Sequence, residues 1–73
     1  MERNTATENV KRFGVIALEK GFITLEQLVE AMTLQIREET QRRKHRPIGQ
    51  ILLSLEYSTS PQIDEVIETM EFQ

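Results

Sequence analysis

The chain has 73 residues, 38% apolar and 29% charged, with a formal net charge of −3, no Cys and a single His. That length holds one small core and no second one, the composition is that of a folded chain, and no apolar run reaches the roughly 18 residues of a membrane span. Without Cys there is no disulfide framework or thiolate metal site, and one His leaves little for a zinc centre or a nucleophile–base pair, so the chain is expected to be cytoplasmic and not an enzyme.

The opening MERNTATENV lacks the apolar stretch of a secretory signal. Residues 1–7 are polar and unpatterned and read as a flexible arm, leaving a single helical domain over 8–73. From Glu8 the pattern turns helical: Val10, Phe13, Ile16 and Ala17 recur three or four apart. Gly21 is placed to end this helix by taking a left-handed backbone. A second helix starts at Thr24, an N-cap with Gln27 three residues on to complete a capping box; Ile23 and Leu28 occupy the positions of a hydrophobic staple. Leu25, Leu28, Val29, Met32 and Ile36 follow at helical spacing, and the helix is expected to reach at least Gln41.

The stretch from Arg37 to Arg46 has no apolar residue and reads as helix extending into solvent, or fraying. Pro47 is expected to open a third helix, with Ile48, Ile51, Leu52 and Leu55 on one face. Thr59 or Ser60 caps a fourth, with Pro61 in its first turn and Ile63, Val66, Ile67 and Met70 as its stripe. No segment alternates with period two, so no strand is expected.

A shift of 35 residues aligns the two halves. Gly14 falls on Gly49, Ile16 on Ile51, Phe22 on Tyr57, Thr24 and Gln27 on Thr59 and Gln62, Leu28 on Ile63 and Glu30 on Glu65. The fold class expected is therefore all-α: four helices in two tandem hairpins, one over 8–41, a basic connector over 42–46, and a second over 47–70. One such hairpin cannot bury its own stripe, whereas two packed face to face can.

The run Arg12-Phe13-Gly14, then Ala17-Leu18, then Gly21-Phe22-Ile23, then Leu28, Met32 and Gln35 resembles the motif of the N-terminal regulatory domain of type II secretion and type IV pilus assembly ATPases, the MshEN type. The family form is Arg-Leu-Gly, two aliphatics, a glycine with two apolar followers, two leucines and a glutamine. Order and spacing fit from Arg12 to Gln35, with Phe13 in place of the usual Leu. The family carries the motif twice in tandem, and in outline so does this chain, over Lys11 to Met70. The resemblance implies an interaction or regulatory module that docks onto a bacterial protein of the secretion or pilus machinery. No Walker A glycine-lysine loop lies within these residues.

Some family members bind cyclic di-GMP through both motif copies. On that resemblance Arg12, Gly14, Gly21, Phe22, Ile23 and Gln35 would form one half-site, with arginine reading phosphate or a guanine edge and glycine letting the ligand approach the backbone. The second copy keeps Gly49 but departs elsewhere. Pro47 stands at the arginine position with Arg46 beside it, Glu56 at the turn glycine, Ser58 at the aliphatic and Met70 at the glutamine. Each residue also has a plainer reading. Gly14 and Gly49 suit close helix contact, Phe22 and Tyr57 suit turn anchors, Met32 and Met70 suit a core, and Arg12 and His45 suit solvent.

Charge is segregated. Arg37, Arg42, Arg43, Lys44 and Arg46 crowd one stretch, and beyond Arg46 there is no basic residue, only Glu56, Asp64, Glu65, Glu68 and Glu71. This reads as a solvated helix end, or as self-complementary or separate partner surfaces. Three functions stand open: a docking module, a cyclic di-GMP receptor, and a DNA-binding helix-turn-helix, the last opposed by the net negative charge. An apolar face left over by four short helices would favour a homodimer.

Overall fold

The computed structural model of the chain describes residues 5–72, which form four helices and no strand: α1 Thr5–Glu19, α2 Leu25–Gln41, α3 Ile48–Ser54 and α4 Ser60–Glu71. The fold is all-α, as the periodicity predicts. α1 reaches back to Thr5, three residues ahead of the expected start, so the segment 5–7 is helix and not part of an arm. No Gly or Pro stops a helix there, and apolar spacing marks a buried face rather than a helix end. The rest of the expected arm, residues 1–4, lies outside the described residues.

Both hairpin turns have the same construction. In the first, the Gly21 N–H donates to the Leu18 carbonyl and Phe22 N–H to Ala17; in the second, Glu56 N–H donates to Leu53 and Tyr57 N–H to Leu52. These are the paired bonds of a Schellman ending, which needs a left-handed residue at its centre. Gly21 supplies one with φ +76°, and Glu56 takes φ +64° despite its side chain. Thr24 and Thr59 then cap α2 and α4, each in a reciprocal capping box with Gln27 or Gln62, and Pro61 stands in the first turn of α4. Pro47 caps α3 from just outside it.

The hairpins pack crosswise. The most extensive helix contacts are α1 with α4 and α2 with α3, so the first helix of each hairpin lies on the second helix of the other. Phe13, Ile16, Ala17, Ile23, Leu28, Ala31, Ile48, Ile51, Leu52 and Val66 form one continuous core. Two polar contacts follow the same exchange: Tyr57 Oη donates to Glu30 at 2.6 Å, and Lys20 Nζ reaches Glu65 at 3.1 Å, Glu30 and Glu65 being 35 positions apart.

α2 departs from expectation. Its buried face is Leu28, Ala31, Gln35 and Glu38, while Leu25, Val29 and Ile36 from the predicted stripe are 61%, 53% and 58% exposed. Both sets have helical spacing. The first wins because α3, the main neighbour of α2, packs on it, and Leu28 lies so close to Gly14 that a β-carbon there would stand 2.7 Å from Leu28 Cδ2. Nor is the polar stretch after Ile36 simply solvated, since Glu38 is buried in it.

Candidate functional site

Where α1, α3 and α4 meet they leave an open groove of about 840 Å³. Phe13, Ile48, Leu53, Ile63 and Ile67 give it an apolar lining. Arg12, Asp64 and Glu71 bring charge to it, and Gln35, His45 and Gly49 also border it. Phe13 and Ile48 reach it from the core, whereas Leu53 and Ile67 remain 41% and 43% exposed.

The residues singled out by the motif fall into two groups. Arg12, Gln35 and Gly49 border the groove. Arg12 is exposed, and its Nη2 donates to the Met70 carbonyl at 3.1 Å. That places a cation at the C-terminal end of α4, where the helix dipole favours it. Gly49 lies within α3, where an added β-carbon would meet Ile63 and Phe13 at 3.2 Å.

The other motif residues serve the fold. Gly14 faces the Leu28 side chain, and Gly49 faces Ile63 in the equivalent place 35 positions on as well as Phe13 of the other hairpin, so both glycines leave room for a packed side chain. Gly21 supplies the turn, with nothing near where its β-carbon would be. Ile23 is core, and Phe22 packs against the core as Tyr57 does. Ser58, at the position of Ile23 in the second hairpin, is buried too.

A clamp at the far end of α2 went unread in the sequence. Arg46 grips Glu38 with two bonds, Nε to Oε1 at 2.9 Å and Nη2 to Oε2 at 2.7 Å, while Gln35 Nε2 donates to the Arg46 carbonyl at 2.9 Å. Hydrogen bonding from Arg46 is the chief cause that holds the Glu38 carboxyl below its ordinary value; desolvation opposes it, and the charges of Arg46, Lys44 and Arg42 add to it. The same bonds hold Arg46 more firmly protonated. Arg46 is thus committed to Glu38, whereas Arg42, Arg43 and Lys44 are exposed. A Glu and an Arg eight apart across a helix end carry no periodic signal, which is why sequence spacing missed the pair.

Tyr57 is also perturbed. Its hydroxyl is pushed up, first by the hydrogen bond to Glu30, then by desolvation and by the Glu30 charge. No helix among the described residues is long and apolar enough to cross a membrane. Comparison with protein-family models, with curated proteins and with solved structures finds no match for this chain.

Proposed function

We propose that this chain is a non-enzymatic interaction module, similar to the docking domain of bacterial secretion and pilus ATPases, and that its groove receives a segment of a bacterial protein partner. The observation that carries this reading is the apolar groove with exposed Leu53 and Ile67, bordered by the acidic face of α4. An amphipathic helix with basic flanks fits such a surface, its apolar side against Ile63 and Ile67 and its cations toward Asp64 and Glu71. The test is titration of isotope-labelled protein with purified cytoplasmic components of a secretion or pilus machine, one at a time. A true partner shifts amides at Leu53, Ile63 and Ile67, and Ile67→Glu removes the shifts. If none of these components moves those amides, the docking reading fails.

A second reading has one observation in its favour: Arg12, Gln35 and Gly49 border a single groove. A cyclic di-GMP receptor would use the Arg12 guanidinium on a phosphate or guanine edge. Titration with cyclic di-GMP separates the two readings. Saturable shifts around Arg12 that vanish in Arg12→Ala favour the receptor; silence at about millimolar ligand, a very weak limit on the affinity scale, removes it.

A further inference from the structure

We propose that the outer face of α2 pairs antiparallel with the same face of a second copy of this chain. Leu25, Val29, Met32 and Ile36 are spaced four, three and four apart, the interval of a coiled-coil seam, with β-branched residues alternating with Leu and Met. Leu25, Val29 and Ile36 are more than half exposed, and Met32 is half-buried. Leu25, Val29 and Ile36 take no part in the core, which takes Leu28, Ala31, Gln35 and Glu38, and Met32 lies at its edge and packs against it.

The second hairpin provides an internal comparison. The same positions in α4 are Ser60, Asp64, Ile67 and Glu71. The hairpin therefore folds with a polar residue at three of the four places. An all-apolar seam on α2 is not something the hairpin requires, and water is a poor neighbour for it.

Charge identifies the occupant and its direction. Glu26 and Arg37 are exposed and flank the seam on one side, eleven residues apart and so on nearly the same side of the helix. Neither has an ion-pair partner among the described residues. In an antiparallel pair Leu25 of one copy faces Ile36 of the other, and Val29 faces Met32. Glu26 of each copy then comes within about two residues' rise, ~3 Å along the axis, of Arg37 of the other. A parallel pair leaves those two groups about 16 Å apart. Such rim pairs set orientation more than strength. The seam is also shorter than the three or four heptads of a stable coiled coil, so association is weak and concentration-dependent.

Sedimentation equilibrium of the 73-residue chain up to about 1 mM, a concentration that reveals weak self-association, tests this. The expected result is a monomer–dimer equilibrium that Ile36→Glu and Val29→Glu each weaken at least about tenfold, since each puts a charge into the seam, with helical circular dichroism unchanged because both positions are exposed. Glu26→Arg and Arg37→Glu each weaken the dimer several-fold, and the double variant restores it. A chain that stays monomeric throughout overturns the proposal and leaves the face for a different protein. A dimer indifferent to Ile36→Glu and Val29→Glu overturns it too. Singles that weaken without rescue in the double variant overturn the antiparallel arrangement. None of these outcomes depends on what occupies the groove of α1, α3 and α4.

Discussion

At Glu56 the backbone has φ +64°, the conformation that Gly21 holds in the equivalent turn. A side chain in that region costs about 1–2 kcal/mol, and the extra freedom of glycine in the unfolded chain returns roughly 0.5–1 of that. Glu56 is exposed, so its removal costs no core packing. Glu56→Gly is therefore expected to stabilise the domain by about 0.5–1 kcal/mol, read as a raised urea midpoint at unchanged slope. Gly21→Ala has the opposite sign and a similar size, because its β-carbon meets nothing and only the backbone is strained. A midpoint lowered by Glu56→Gly would show that the turn relies on that carboxylate. Gly14 and Gly49 answer to space rather than to backbone angle. Each lies where a β-carbon would press on the facing helix of its hairpin, at Leu28 and Ile63, so they act in packing whether or not a ligand ever approaches them.

Among the elements, α2 is where sequence and structure part. Its start is legible because a cap is local: the Thr24 hydroxyl accepts from the Gln27 N–H and the Gln27 amide oxygen accepts from the Thr24 N–H, within one turn. The start of α4 is legible for the same reason, through Thr59 and Gln62. Which side of α2 faces inward is not local. Two interleaved sets of residues have equal claim by spacing, and the choice falls to α3 and to Gly14 across the interface. Of the candidate site, Arg12, Gln35 and Gly49 do converge on one groove. Its apolar lining and the Glu38–Arg46 clamp depend on long-range placement that periodicity does not encode. That clamp has a pH signature. The carboxyl of folded Glu38 lies below its ordinary value of 4.5, so its contribution to stability is complete above that value and is lost as pH falls through the depressed one. The melting temperature is expected to drop as the pH is taken below that ordinary value, and Glu38→Gln, which no longer titrates, is expected to start lower and to lose less over the same acid range. Equal losses in the two proteins would assign the acid sensitivity to other carboxylates.

On the scale of the whole molecule, stability lies between the hairpins rather than within them. α1 makes its main contact with α4, and α2 with α3. Ile51 and Leu52 are fully buried, and they share one core with Ala31 of the other hairpin. A helical hairpin severed from its mate loses that cover and keeps only short helices, which are marginal in water by themselves. Cutting the chain in the exposed stretch between Arg42 and His45 makes this measurable. Peptides 1–43 and 44–73 are each expected to show weak, non-cooperative helicity, while their equimolar mixture recovers a sigmoidal thermal transition whose midpoint rises with concentration, as linkage requires. The cut leaves Arg46 and Glu38 on different fragments, so Glu38→Ala in the longer peptide is expected to lower the recovered midpoint. A longer fragment that melts cooperatively alone, at the temperature of the intact chain, would mean that one hairpin suffices and that the crosswise packing is an accessory to the fold.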